Sequence, residues 1–312
     1  MVRIGFLGCH EISWFCLKRI CELIKEFDDE LVIAFNLKED NNYSGYIKFD
    51  SLQKEFDFDL KYISKITDEE NLEILKKSNL DILFIIGWHR IVPEIVLKSA
   101  KISLGIHSSN LPKDRGSSPI NWEIIKGEEE GGVSLFHLTE GVDSGPIVDT
   151  KKFRIDEFDD VKDVYEKATK NAIILLEKHW NGIHQLQIPK ILQNESNATY
   201  NIRRKPEDGL IDWSNSSKKC YDWIRALTDP YPGAFTFWKD KKVILLESEK
   251  SDVKNTIAGE ILKVGKEIVV STGDKSLKIK KLKIEDEPIC SSELFSNAYG
   301  LKIGNKFSNN RE

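Results

Sequence analysis

The chain has 312 residues, of which 40% are hydrophobic and 31% charged, and its formal net charge is −5. This length supports a sizeable buried core and about two domains, and the interleaving of charged with apolar residues excludes a disordered chain. Proteins that grip a nucleic-acid backbone usually carry a basic excess, so the acidic balance argues mildly against such a partner.

Strands and helices alternate over roughly the first 180 residues. Apolar runs predict strands at 2–7, 31–36, 81–87, 102–106 and 132–138. Helical periodicity predicts helices at 12–24, 117–126 and 161–180. The third strand is continuously apolar after its first residue, as expected for a strand covered on both faces of a parallel sheet. The alternation predicts an α/β fold with a Rossmann-like, mostly parallel sheet, which binds its ligand outside the carboxyl ends of the strands.

The pattern changes after about residue 200. Short strands are predicted at 259–264, 267–272 and 277–284, separated by Gly, Asp and Lys. This spacing is typical of a small β-barrel or sandwich, and the polar stretch 194–212 is predicted to cross between the two parts. We therefore expect a first domain over residues 1–200 and a smaller second domain over residues 201–312.

From its apolar runs, we expect the chain to have neither an export signal nor a membrane anchor. The amino-terminal apolar run is broken by His10 and Glu11, and the longest apolar run, 82–88, is far shorter than the roughly 20 residues of a spanning helix. The five cysteines show no CxxC spacing, which is typical of free thiols in a reducing compartment. We expect a cytoplasmic protein with no membrane partner.

Three loops follow the third, fourth and fifth predicted strands, where this fold places a ligand. They cover residues 87–93, 105–116 and 139–146. The second loop places His107 at the end of a strand, and the third places Asp143 in a Gly-rich turn within reach of that histidine. We expect the two side chains to share a site.

The second and third loops carry a family resemblance. The run HSSNLPKDRG followed by GVDSGPI resembles the signature of the formyltransferase family, which includes methionyl-tRNA, glycinamide ribonucleotide and amino-sugar formyltransferases. The segments 203–213 and 224–235 are also similar to the carboxyl-terminal half of members of this family. The resemblance covers nearly the whole chain, and it implies that the second domain is an OB-like β-barrel.

The resemblance implies a reaction and two catalytic residues. Formyl transfer is an acyl transfer, in which an amine loses a proton and N10 of the folate gains one. Histidine suits such a shuttle, because its ordinary pKa lies near working pH. His107 matches the catalytic histidine of the family, and Asp143 matches the aspartate that fixes the imidazole and favours its protonated form.

The resemblance also implies where the formyl donor, 10-formyltetrahydrofolate, binds. The pterin lies under the first loop and against the third, and the second loop lines the transfer site. The residues implied in donor binding are His89, Arg90, Ile91, Ser108, Ser109, Asn110, Leu111, Thr139, Glu140, Gly141 and Val142. No metal is expected, because the remaining histidines show no metal-ligand spacing. These histidines are His10, His137, His179 and His184.

One position departs from the family pattern. The family has an asparagine two residues before the histidine, whose amide donates to the oxyanion, whereas this chain has Gly105. Losing one such donor costs roughly 10²–10³ in rate in other enzymes. Another donor substitutes (Asn110, Asn121 or a backbone N–H), the chemistry is slower, or the protein binds folate without catalysis. We favour a substitute donor, because both motifs are otherwise present.

Three functions remain open. The first is transfer to an amino sugar in glycan biosynthesis, either nucleotide-linked or pseudaminic-type, which the acidic charge and the residues 121–122 and 229–235 favour. The second is methionyl-tRNA formyltransferase, which normally has a basic insertion after the second strand, whereas residues 37–45 hold two acids and one lysine. The third is a non-catalytic folate-binding protein. The expected partner is a small-molecule substrate, and a homodimer is compatible with the sequence.

Overall fold

A seven-stranded sheet lies at the centre of the first part of the chain. The computed structural model describes residues 1–38 and 44–310. The strands described up to residue 154 are β1 (Arg3–Leu7), β2 (Glu30–Leu37), β3 (Leu60–Ile63), β4 (Leu80–Ile86), β5 (Ala100–His107), β6 (Arg115–Gly116), β7 (Glu130–His137) and β8 (Ile147–Arg154). The sheet order is β3-β2-β1-β4-β5-β7-β8, and β6 pairs separately with β9 (Tyr200–Asn201).

Strand direction changes at β7 and again at β8. The pairings from β3 through β5 are all parallel, whereas β7 runs antiparallel to β5 and β8 runs antiparallel to β7. The predicted α/β fold with a mostly parallel sheet is therefore confirmed. The order reverses between β1 and β4, which is the switch point at which doubly wound folds open a crevice.

Helices connect and cover these strands. They are α1 (Glu11–Phe27), α2 (Asp50–Phe56), α3 (Glu69–Lys77), α4 (Glu94–Leu97), α5 (Pro119–Lys126) and α6 (Val161–His184). The side chain of Phe84 in β4 is fully buried, and its ring stacks on Trp180 of α6 with centroids 6.1 Å apart. Burial of such aromatic pairs contributes more than area alone, so α6 is fixed on the middle of the sheet.

The five predicted strands of this part are confirmed as β1, β2, β4, β5 and β7, with ends that differ by one or two residues. Strands β3 and β8 and helices α2 to α4 were not predicted. β3 has four residues of which only Ile63 is buried, and β8 carries Lys151, Lys152 and Arg154 on an edge. Edge strands commonly carry such charges, which hide them from a search for apolar runs.

The carboxyl-terminal part is built on an antiparallel sheet. Its elements are α7 (Ser217–Leu227), β10 (Ala234–Trp238), β11 (Lys241–Ser251), β12 (Ile261–Lys263), β13 (Ile268–Ser271), β14 (Ser276–Ile284), β15 (Cys290–Ser291) and α8 (Ser292–Ala298). The strand order is β10-β11-β14-β13-β12, with β15 beside β14. The three predicted strands correspond to β12, β13 and β14, and the smaller β domain of the predicted fold class is confirmed.

The described chain forms two compact units that interleave in sequence. The first holds Met1–Pro119, Glu130–Arg154 and Tyr165–Ile202, and the second holds Ile120–Glu129, Ile155–Val164 and the chain from Arg203 onwards. Two short stretches of the first 200 residues thus cluster with the carboxyl-terminal part. The division of the chain into domains at residue 200 stays a prediction.

Within residues 1–38 and 44–310, every helix is too short or too polar to cross a bilayer.

His10 begins α1 and fixes the loop that follows β1. Its Nδ1 accepts a hydrogen bond from the Ile12 N–H at 3.4 Å, and its own N–H donates to Ser13 Oγ at 3.0 Å. The Ser13 hydroxyl donates in turn to the Ile86 carbonyl at the end of β4. Burial, together with the neighbouring His89, lowers the pKa of His10 from 6.5 to about 3.

The depressed pKa of His10 predicts acid sensitivity of the fold. Between the folded pKa of about 3 and the ordinary value of 6.5, the unfolded state binds a proton that the folded state excludes. Stability is therefore fully present above pH 6.5 and falls as the pH drops below it, by up to about 1.4 kcal/mol per pH unit.

The His10→Asn variant removes this titration and keeps a side-chain acceptor for the helix cap. Urea unfolding of both proteins between pH 4.5 and 7.5 should show a flatter pH dependence for the variant, by about 1 kcal/mol per pH unit below pH 6.5. Equal slopes for the variant and the wild type would contradict the role assigned to His10.

Candidate active site

His107 closes β5 and is held by the loop that follows it. The imidazole is 8% exposed, and its Nε2 donates to the Asp114 carbonyl at 2.8 Å. The loop folds back through its own hydrogen bonds: Ser109 Oγ donates to the Lys113 carbonyl at 2.7 Å, and Asp114 takes a left-handed φ of 57°. The second loop therefore turns sharply enough to cap the histidine that begins it.

Asp143 approaches the other ring nitrogen of the same histidine. Its Oδ2 lies 3.6 Å from His107 Nδ1 and accepts a hydrogen bond from the Gly116 N–H at 2.8 Å. The predicted pair, His107 and Asp143, is brought together. Because Nε2 is bonded to a backbone carbonyl, Nδ1 is the nitrogen at which His107 can exchange a proton.

The path of the third loop to this site differs from the one expected for a parallel sheet. The prediction placed it at the carboxyl edge of a parallel sheet, but β7 runs antiparallel to β5, with Leu104 opposite His137. Leu138 donates to the Ser103 carbonyl, in the first half of β5. That part of the prediction was wrong: the loop starts away from His107 and folds back to deliver Asp143.

Gly105 lies beside Leu138 and Phe136. A Cβ atom at position 105 would lie 2.9 Å from Leu138 Cδ2 and 3.1 Å from Phe136 Cε1. Leu138 also packs with Phe136 and Leu111 in a small apolar cluster. Apolar side chains thus occupy the space in which the family's asparagine side chain would begin.

The substitute donors considered for the oxyanion differ in their surroundings. Asn121 is fully buried, and its amide donates to the Ala226 carbonyl at 2.7 Å. This bond removes Asn121 from consideration. Asn110 is half-buried and follows His107 by three residues, so Asn110 and the backbone N–H groups of the second loop remain candidates.

The first loop is exposed at residues 89–91, while Trp88 and Val92 pack against the core of the sheet. His89 meets the buried ring of His10 edge-on, with centroids 5.7 Å apart, and Arg90 donates to the Ser64 carbonyl. Ile91 is 85% exposed. Sequence reasoning set His10 aside because it has no metal-ligand spacing. Its position after β1, the strand beside β4, was the signal that it would meet this loop.

A carboxylate pair joins the third loop to α4. Glu140 of the third loop shares a hydrogen bond with Glu94 at the start of α4, and this bond raises the pKa of Glu140. Glu94 also forms an ion pair with Lys98. Thr139, Glu140, Gly141 and Val142 are all exposed, so this part of the third loop lies open to solvent next to α4.

Two residues of the second loop that were predicted to bind the donor have side chains with other partners. The Ser109 hydroxyl donates to the Lys113 carbonyl, and Leu111 is buried against Phe136. Both side chains therefore hold the shape of the second loop. The Leu111 N–H and the Ser109 carbonyl are also engaged, since both are bonded to the Ser134 hydroxyl of β7. Ser108 is half-buried directly after His107.

Sequence reasoning missed a buried cation that ties the second loop to the segment 193–200. Arg115 is fully buried. Its guanidinium donates to Gln193 Oε1, to both oxygens of Glu195 and to the Tyr200 hydroxyl. Arg115 belongs to the quoted motif, which was the available signal, whereas nothing in the sequence pointed to Gln193.

Comparison with known proteins covers most of the chain. Residues 38–178 match the formyl transferase family model, and residues 203–300 match that of the formyl transferase C-terminal domain. The chain is 33% identical over 305 residues to the bifunctional polymyxin resistance protein ArnA of Wigglesworthia glossinidia brevipalpis, which covers 96% of this chain and 46% of ArnA. The chain thus spans about half the length of that relative.

Two further similarities extend this result. A methionyl-tRNA formyltransferase of Sulfurihydrogenibium is 30% identical over 244 residues, which is 77% of this chain and 78% of that enzyme. The fold matches the N-formyltransferase of Helicobacter canadensis in complex with folinic acid and dTDP-3-aminofucose, with a TM-score of 0.67, 20% identity, and coverage of 89% of this chain and 98% of that one. With both parts of the family matched in order, the chain belongs to the formyltransferase family.

Proposed function

We propose that the protein transfers the formyl group of 10-formyltetrahydrofolate to the amine of an amino sugar, either a nucleotide-linked sugar or one of the pseudaminic type. The observation that carries this proposal is His107, which lies between the Asp114 carbonyl and the Asp143 carboxylate within the two family loops. The setting we propose is a cytoplasmic step of glycan biosynthesis.

The residues of the first and third loops fit the formyl donor. Ile91 and Val142 are 85% and 51% exposed, and exposed apolar side chains on binding loops suit a largely flat aromatic ligand. Trp88 Nε1 is buried without a hydrogen-bond partner among residues 1–38 and 44–310. A buried indole N–H usually finds an acceptor, and the ring nitrogens and carbonyl of a pterin are acceptors.

In the proposed mechanism, His107 moves the proton between the two nitrogens of the reaction. The acceptor amine attacks the formyl carbon, and the carbonyl electrons move to its oxygen. His107 Nδ1 takes the proton that the amine loses and gives a proton to N10 as the carbon–N10 bond breaks. Asp143, 3.6 Å from Nδ1, stabilises the positive charge that the imidazole carries between these events.

The oxyanion must be stabilised without the family's asparagine amide. Leu138 and Phe136 border position 105, so no polar side chain enters from there. We propose that Asn110 or a backbone N–H of the second loop donates to the developing oxyanion. Donors held in place before the reaction stabilise such charge at no reorganisation cost, and this loop is held by hydrogen bonds within itself and to the Ser134 hydroxyl of β7.

Relatives that act on different acceptors match this chain. The Helicobacter canadensis structure contains dTDP-3-aminofucose, and ArnA covers 96% of this chain. The second candidate is methionyl-tRNA formyltransferase, which the Sulfurihydrogenibium enzyme favours. The acidic net charge of −5 supports the sugar. Residues 39–43, which carry part of the charge comparison, lie outside the described residues.

A release assay for tetrahydrofolate tests the proposal. The wild type, given 10-formyltetrahydrofolate and a panel of nucleotide-linked amino sugars, free amino sugars and methionyl-tRNA, should turn over with a sugar. His107→Ala should lower turnover by at least about 10²-fold while the donor still binds. The control is His179→Ala, since His179 pairs with Asp149 elsewhere in the unit and should leave turnover unchanged.

Each other outcome is informative. Turnover with methionyl-tRNA alone would replace the sugar by the second candidate. Donor binding without turnover on any acceptor would favour a non-catalytic folate-binding protein. Near-normal turnover by His107→Ala would remove His107 from the mechanism.

Gly105→Asn tests how the oxyanion is stabilised. Because a Cβ at position 105 would lie 2.9 Å from Leu138 Cδ2, we expect the single variant to lower turnover or leave it unchanged. Gly105→Ala is the matched control for crowding, and Leu138→Ala in combination with Gly105→Asn relieves it. A rise of about 10-fold or more in turnover for Gly105→Asn alone would show that a donor was missing.

A further inference from the structure

Gln193 stands between the second and third loops. Its Oε1 accepts hydrogen bonds from Arg115 Nε at 3.1 Å and Nη2 at 2.8 Å. Its Nε2 donates to the Asp143 carbonyl at 2.8 Å and to the Gly145 carbonyl at 2.7 Å. One amide side chain therefore joins a cation of the second loop to two backbone carbonyls of the third.

The Arg115 end of this bridge is held by several partners. The guanidinium is fully buried and is also bonded to Glu195 and to the Tyr200 hydroxyl. Its backbone N–H donates to the Thr199 carbonyl at 2.9 Å. Arg115 thus gives Gln193 a fixed point, and charge-assisted hydrogen bonds of this kind are among the stronger ones in proteins.

The Asp143 end needs such support. Asp143 has a left-handed φ of 49°, which costs conformational energy for a non-glycine residue, and it lies in a loop whose neighbours Gly141 and Val142 are exposed. Its carboxylate is held by the Gly116 N–H, and its carbonyl by Gln193. Gln193 is itself held by Arg115, so both anchors depend on the consecutive residues Arg115 and Gly116.

We propose that Gln193 is a positioning residue that holds Asp143 against His107. It touches neither the reacting atoms nor the histidine, and it acts through the backbone of the third loop. This inference rests on the proposed function only where turnover is the readout, because the placement of Asp143 is a property of the protein without substrate.

Gln193→Met is the test variant, since methionine keeps the length of the side chain and loses all four hydrogen bonds. The segment stays attached, because Ile191 and Ile147 exchange two backbone hydrogen bonds at 2.8 and 2.9 Å. Gln185→Met is the matched control: Gln185 is exposed, and its side chain bonds the Asn181 side chain four residues away.

Two measurements are made on the wild type and on both variants. Amide hydrogen exchange by NMR reports on the Gly116 N–H, which the Asp143 carboxylate protects. In Gln193→Met this amide should exchange at least about 10-fold faster, while amides of β4 and β5 keep their rates. With an active acceptor, kcat should fall by about 10- to 100-fold and the KM for the folate donor should stay within about threefold.

The outcomes separate this proposal from the proposed function. If the wild type turns over no acceptor, the proposed function fails, and Gly116 exchange alone decides the role of Gln193. Unchanged exchange at Gly116 would overturn the positioning role. Faster exchange spread over β4 and β5 would overturn it too, because Gln193 would then serve general stability.

Discussion

The reversal of chain direction between β5 and β7 is the constraint around which the candidate site is organised. In a parallel sheet the ends of consecutive strands meet at one edge, and residues placed there approach each other without further support. Here β7 begins beyond His107 and ends opposite Leu104, so the loop that carries Asp143 starts beside Leu104 and not beside His107. The loop must fold back toward His107. The Gly116 N–H and the Gln193 amide hold Asp143 in that position.

The same loops place the two ring nitrogens of His107 in different environments. Nε2 is bonded to a carbonyl of its own loop, which fixes the ring plane and leaves Nδ1 facing Asp143. Leu138 and Phe136 border position 105, where the family has an asparagine. Under the proposed function, Asn110 or a backbone N–H of the second loop donates to the oxyanion in place of that asparagine amide.

The sequence predicted the buried strands, the fold class and the meeting of His107 with Asp143. These predictions worked because apolar runs mark covered strands and because both residues lie in motifs at strand ends. The direction of β7 was beyond such reasoning, since an apolar run reads the same in either direction.

Side-chain orientation was also beyond it. Ser109 and Leu111 sit in the right loop, yet their side chains bond or pack inward. Gln193 acts on backbone carbonyls, which every residue has, so no pattern of residue types announces it.

The way the two units interleave has a consequence for how such chains diversify. The polypeptide passes from one unit to the other after residues 119, 129, 154, 164 and 202. Within the second unit, Asn121 bonds the Ala226 carbonyl, Tyr221 bonds the Glu157 carbonyl and Arg225 bonds the Asp159 carbonyl.

In a recombinant chain with a single join near residue 202, the two residues of each of these hydrogen bonds would come from different parent proteins. Buried polar groups left without partners are costly. An exchange of the carboxyl-terminal part between relatives would also have to exchange the stretches 120–129 and 155–164, and a single join cannot do this. The two units are therefore expected to be inherited together.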